Sequence, residues 1–204
     1  MRRLLAFAAL VTFASAPVAA QDEAHAIFAG GCFWCVEADF DKVDGVLETV
    51  SGYTGGDVAD PTYRQVVAGG TGHREAVRIV FDPDVVGYEE LLDAFWHSVD
   101  PTDDGGQFCD RGFSYTTAIY ALDAAQRAAA EASKAAVRED LAVDATIETP
   151  ILDAAEFYRA EDYHQDYYTK NPARYKFYRW SCGRNERVRE VWGEMAFDGI
   201  PGLD

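Results

Sequence analysis

Residues 26–40 read AIFAGGCFWCVEADF, and the way they divide decides the fold. Residues 26–29 are a short apolar run that stops at Gly30 and Gly31, the pattern of a buried strand ending in a tight turn. From residue 32 to about residue 42, Phe33, Val36, Phe40 and Val43 fall at helical spacing. A strand, a glycine turn and a helix follow one another, and Cys32 stands at the junction. Backbone N–H groups without intrahelical partners and the positive end of the helix dipole surround a sulfur placed there, which favours thiolate over thiol. The glycines leave room for whatever that sulfur attacks.

Outward from this segment the pattern repeats. Residues 46–53 alternate apolar and polar positions and break at Gly55 and Gly56, and residues 75–81 alternate until Asp82 and Pro83. Residues 88–99 place Leu91, Leu92, Phe95 and Trp96 on one helical face. A strand is expected at 117–122, an Ala-rich helix capped by Asp123 at about 124–138, and a β-like stretch at 146–149 before Pro150. The order β-α-β-β-α-β, with one more helix and strand, predicts an α+β fold: a ferredoxin-like split βαβ, two-layer sandwich. The tail from Tyr163 is aromatic and charged and is expected to be extended and partly irregular, with helices near 163–170 and 185–192.

The chain has 204 residues, 49% of them hydrophobic, enough for one core and not comfortably for two. Its net charge of −17 argues against a nucleic-acid partner, which needs clustered Lys and Arg. Residues 1–20, MRRLLAFAALVTFASAPVAA, carry Arg2 and Arg3, an apolar run and a small-residue end at Val18-Ala19-Ala20. That is the layout of a secretory signal peptide. The expectation is a protein exported to the periplasm, with 21–204 as a single catalytic domain and no stable membrane insertion once the signal is cleaved. An oxidising compartment permits disulfides, yet a chain of this size does not need them as staples, so each of the four cysteines requires its own explanation.

Cys35 lies one helical turn after Cys32, so a disulfide between them is sterically possible. A C-x-x-C pair serves thiol–disulfide oxidoreductases and zinc half-sites alike. Zinc would need two more ligands, and Cys109 and Cys182 are isolated in the sequence. Cys35 also reads as a small buried residue on the inner helix face.

Together GCFWC (31–35), PTYRQV (61–66), TGHREAVRIVFDP (71–83), HSVDPTD (97–103), QFCDRGFSYTTAIY (107–120) and EDYHQDYY (161–168) resemble peptide methionine sulfoxide reductase of the A type. The likeness runs in order over nearly the whole chain after the leader. It implies reduction of the S epimer of methionine sulfoxide, free or in oxidised proteins, with no metal and no organic cofactor.

In that reading Cys32 attacks the sulfoxide sulfur, and the oxygen needs a proton to leave. The resemblance gives that proton to Glu75, which requires a dry pocket to keep the carboxyl neutral. Strand alternation by itself reads Glu75 as an exposed carboxylate beside Arg74 or Arg78. The resemblance makes Tyr63 and Tyr115 donors to the sulfoxide oxygen, Phe33 and Trp34 the wall for the substrate methyl, and Asp110 an organiser of the nucleophile's surroundings. His73 and His164 read as structural. Attack leaves Cys32 as a sulfenic acid that a second thiol condenses to a disulfide. Cys182, next to Gly183, is the first candidate for that thiol and Cys35 the second; many relatives carry Gly at the latter position, and the recycling route stays open. Cys109 reads as a third redox thiol or a spectator, with the spectator reading preferred. The final reductant is expected to be an exported thioredoxin-like dithiol protein and the enzyme a monomer. The chief rival is a thiol–disulfide oxidoreductase using Cys32–Cys35 directly.

Overall fold

A computed structural model describes residues 23–203. The expected leader, residues 1–20, lies outside them. In chain order the elements are β1 (Ala24–Ala29), α1 (Phe33–Phe40), β2 (Val46–Thr54), α2 (Tyr63–Val67), β3 (Arg74–Phe81), α3 (Tyr88–Trp96), β4 (Gly106–Gln107), β5 (Asp110–Arg111), β6 (Ala118–Ala121), α4 (Ala124–Val137), β7 (Ile151–Asp153), β8 (Phe157–Arg159), α5 (Tyr167–Lys170), α6 (Pro172–Ser181) and α7 (Arg184–Trp192). The fold is α+β. No helix among the described residues is long and apolar enough to cross a membrane.

One six-stranded sheet runs β7-β6-β1-β3-β2-β8. β1 pairs antiparallel with β3 on one side and β6 on the other, and β3 pairs antiparallel with β2. β7 adds a parallel edge beside β6, and β8 an antiparallel edge beside β2. Period-two alternation assigns the faces. Phe28, Val77, Ile79, Phe81 and Ile119 turn to one side, where they meet Phe33, Val36 and Phe40 of α1 and Leu91, Leu92, Phe95 and Trp96 of α3 in the main core. Phe28 stacks on Phe95 with ring centroids 4.9 Å apart. Burying each such side chain contributes about 1.5–3 kcal/mol. Ile27, Ala29, Ala76, Ala118 and Tyr120 face the other way and form a smaller cluster with Leu152 and Phe157.

Three expectations need correction. The stretch 146–149 is not a strand; pairing begins after Pro150, at Ile151 opposite Ile119. The tail is more helical than its sequence suggests, because α6 fills 172–181. It is also tied closely to the sheet: the Gln165 side-chain amide bonds both the N–H and the C=O of Ser51, at 3.0 and 2.9 Å. Thirdly, the sheet has six strands where the sequence pattern gives five, because β8 adds an edge beside β2.

Candidate active site

The chain turns from β1 into α1 through Gly31, whose φ of +83° is one that L side chains rarely adopt. A Cβ on Gly31 would also stand 2.5 Å from that of Gln107. The turn delivers Cys32 to the N-cap of α1, with no side chain capping the helix from that position. The first free amide of the helix, Phe33 N–H, instead donates to Glu75 Oε2 at 3.0 Å. Glu75 comes from β3, in phase with Val77, Ile79 and Phe81, so it points into the core face, while Arg74 and Arg78 point to the opposite one. The exposed carboxylate that alternation seemed to allow is therefore wrong: Glu75 is 1% exposed.

Around these two groups a cleft of about 90 Å³ brings together Cys32, Phe33, Trp34, Tyr63, Glu75, Asp110 and Tyr115, and adds Tyr178 from α6. Seven of the nine residues singled out in the sequence thus share one small space; Cys35 and Cys182 are not on its wall. Tyr178 hydroxyl donates to Asp110 Oδ2. Trp34 stacks on Tyr167 at 3.7 Å and its Nε1–H donates to His164 Nδ1 at 3.0 Å. His164 is buried, and its ring lies 4.9 Å from Phe33 and 4.5 Å from Tyr63. His73 is satisfied structurally, accepting from Gly56 N–H at 3.1 Å and bonding Val58 C=O at 2.7 Å.

Sequence reading assigned no role to Glu161, Tyr178 or Arg184. Glu161 accepts from Tyr63 N–H at 3.0 Å and from Tyr53 hydroxyl at 2.8 Å, so it fixes where Tyr63 stands. Partial burial opposes its charge, but those donors win and hold the carboxyl below its usual range. Arg184 donates to Gly30 C=O at 3.2 Å and Ser98 C=O at 2.9 Å, bracing the glycine turn from behind. The signal for Glu161 was its place in EDYHQDYY; Tyr178 and Arg184 left no local one.

Burial makes the cleft favour neutral groups. It pushes Glu75 up to about 8 against the opposing bond from Phe33 N–H, so the carboxyl keeps its proton at neutral pH. Burial also raises Tyr63, Tyr115 and Asp110. Cys32 is likewise raised, first by burial and then by the hydrogen bond it shares with Cys35. That same bond lowers Cys35 to about 7 despite burial, helped by Arg184 and Arg179. This corrects the expectation of a resting thiolate at Cys32. A helix N-terminus is worth about 0.3–1 kcal/mol at ordinary sites, less than dehydrating a buried anion costs.

The remaining sulfurs form a second pair. Cys109 and Cys182 are joined by a disulfide, while Cys32 and Cys35 are free. Cys109 is therefore no spectator, and four sulfurs around one zinc is not the arrangement they adopt. Cys35 is buried against Ala38 and Tyr175, as an inner-face residue would be.

The chain matches the family model for peptide methionine sulfoxide reductase over residues 24–196. It is similar to the peptide methionine sulfoxide reductase MsrA 2 of Rhizobium meliloti (strain 1021), 53% identical over 98% of this chain and 99% of that one. It is similar also to the MsrA of Bacillus subtilis (strain 168), 52% identical over 82% of this chain and 95% of that one. Among solved structures, methionine sulfoxide reductase A of Corynebacterium diphtheriae superimposes with a TM-score of 0.66 at 34% identity, covering 74% of this chain and 76% of that one. The reduced form of Mxr1 from Saccharomyces cerevisiae gives 0.70 at 29% identity, covering 74% and 86%.

Proposed function

Because the chain belongs to the peptide methionine sulfoxide reductase family, we propose how its own residues carry out that family's reaction. The protein is an oxidoreductase that reduces methionine sulfoxide to methionine. The observation that carries the residue assignment is a protonated Glu75 and the Cys32 sulfur sharing one small cleft with two neutral phenols.

Phe33 and Trp34 form an apolar wall for the substrate's S-methyl group, and Tyr63 and Tyr115 donate hydrogen bonds to the sulfoxide oxygen. That the substrate is the S epimer is what the resemblance implies. Cys32 Sγ attacks the sulfoxide sulfur, its proton passing along the existing bond to Cys35, while Glu75 protonates the departing oxygen. A Cys32–sulfonium bond forms and hydroxide leaves. Hydroxide then attacks Cys32 Sγ, releasing methionine and leaving the sulfenic acid. Asp110, held by Tyr178, orients the wall beside Cys32 and carries no proton. A second thiol converts the sulfenic acid to a disulfide, and an external dithiol restores the enzyme. No step in this course calls on a metal or an organic cofactor.

The test is one stoichiometric addition of methionine sulfoxide to the prereduced protein with no reductant present. Wild type is expected to yield methionine, and Cys32→Ser none. Methionine from Cys32→Ser, or turnover of disulfide substrates in place of sulfoxides, would overturn the assignment in favour of a Cys32–Cys35 oxidoreductase.

Export, a single catalytic domain over 21–204, a monomeric state and an exported thioredoxin-like reductant belong to the same proposal. The layout of residues 1–20 and the Cys109–Cys182 disulfide support export. N-terminal sequencing of the cell-fractionated protein is expected to begin at Gln21, and an intact Met1 in the cytosol would refute it. The register of β6, β1, β3 and β2, with α1 and α3 as crossovers, supports reading the centre of the fold as a ferredoxin-like split βαβ, enlarged by β7, β8 and the tail.

A further inference from the structure

The cleft beside Cys32 holds about 90 Å³, roughly the liquid volume of three water molecules. That is room for the methyl sulfoxide head of an oxidised methionine and for little more. The backbone of that residue, and the residues joined to it on either side, therefore lie outside the cleft, across its rim. Contacts made there can add binding energy far from the reacting sulfur.

One stretch of the rim offers them an aromatic surface. Phe33 lines the cleft, and the buried ring of His164 lies 4.9 Å from it and 4.5 Å from Tyr63. Tyr163 carries this row of rings outward: its ring centroid is 4.2 Å from that of His164, and the residue is 59% exposed. The row begins inside the cleft at Phe33 and ends in solvent at Tyr163. Its middle ring is fixed by the bond from Trp34 Nε1–H to His164 Nδ1.

The outer ring stands on a segment that is held at both ends. His164 N–H donates to Glu161 C=O at 2.9 Å, closing a turn with Tyr163 inside it. At one end of that turn the Glu161 carboxylate accepts from Tyr63 N–H and Tyr53 hydroxyl. Just past the other end, Gln165 binds the backbone of Ser51 in β2. A tyrosine presented in this way offers a large contact surface on a backbone that needs no further ordering. No step of the sulfoxide chemistry calls on it.

Resting on the sulfoxide-reductase reading, we propose that Tyr163 forms a subsite for the residue next to the oxidised methionine, and that this subsite takes an aromatic or large apolar side chain. With the sulfoxide seated against Phe33 and Trp34, the neighbouring side chain lies on the Tyr163 ring, and each covers the other from water. Free methionine sulfoxide has no such neighbour and gains nothing there. The substrates favoured are flexible oxidised segments in which the methionine stands in an apolar run. The contact is remote from the reacting atoms and is made equally in bound substrate and transition state, so it acts on KM and leaves kcat alone.

Two blocked pentapeptides test this, each with a central methionine sulfoxide flanked on both sides by Phe or on both sides by Gly, with dithiothreitol as reductant. Wild type is expected to show a kcat/KM about 2- to 10-fold higher for the Phe peptide, through KM, as one aromatic pair would give. In Tyr163→Ala that ratio should fall to unity, and in Tyr163→Phe it should persist. The ratio is taken within one protein, so a loss of folded enzyme, or a displaced His164 that slows both peptides alike, cancels from it. A ratio of unity in wild type, a wild-type ratio kept by Tyr163→Ala, or a difference carried by kcat alone would overturn the subsite and leave the sulfoxide chemistry standing. No methionine from either peptide with wild type would overturn the reading of the cleft, and the subsite with it.

Discussion

Glu75 keeps its proton at neutral pH because the cleft offers it one backbone donor and little water. A general acid of this kind contributes about 10²–10⁴-fold, so Glu75→Gln should lower kcat by that order with little change in fold. Wild-type activity should fall as pH rises through about 8, where the carboxyl ionises. That limb should be missing from the residual activity of Glu75→Gln, and a limb that persists would give the proton to another group. Stability carries the same signature. Between the ordinary carboxylate pKa of about 4.3 and the folded value of about 8, the native state holds a proton that the unfolded chain has lost. Stability from this group is thus fully present below the lower value and declines as pH rises through the upper one. Denaturation of wild type and Glu75→Gln at pH 5 and 8.5 should show the gap moving in favour of the amide at the higher pH. Tyr63→Phe and Tyr115→Phe each remove one donor and should cost about 1–3 kcal/mol in kcat/KM, with thermal stability nearly unchanged.

Among the elements, the tail is what closes the site from behind. Asp39 of α1 is fully buried and binds Arg179 of α6 at 2.6 and 3.1 Å, with Arg184 of α7 at 3.9 Å. Removing one member of a buried ion pair costs about 3–5 kcal/mol. Asp39→Ala should fall in that range by urea denaturation, because it strands two cations; a loss under 1 kcal/mol would mean water reaches them. The strands that build the sheet were legible because alternation and β-branched residues mark them. Alternation alone leaves Glu75 readable as an exposed carboxylate, yet its phase with Val77 and Ile79 points inward, into the dry pocket that the resemblance requires. α6 escaped because Phe177 and Trp180 lie exposed on it, which blurs the apolar stripe that marks a helix. Residues 146–149 look like a strand but join no ladder: Glu148 N–H goes to Pro101 C=O, Lys134 binds Thr149 C=O, and strand pairing with β6 starts at Ile151.

At the scale of the molecule, the site was legible where chemistry is local and illegible where it depends on distant pairing. The glycine turn announced Cys32, and the motif resemblance supplied Glu75 and the tyrosines. The bond from Cys109 to Cys182 spans 73 residues and leaves no trace in either neighbourhood. Its energetics give a last test. Closing a loop of that length stabilises by about 4 kcal/mol in the chain-entropy account, which for a domain of this size corresponds to a Tm shift of roughly 8–16 °C. A staple and a redox bond differ in what happens without it. If the bond opens in every catalytic cycle, the core of Phe28, Phe95, Trp96 and their neighbours has to hold the fold alone. The reduced enzyme should therefore melt in one cooperative transition, lower than the oxidised form yet well above 25 °C, in calorimetry with and without dithiothreitol. A reduced chain already unfolded at 25 °C would make the bond a structural requirement, incompatible with a cycle that breaks it at each turnover.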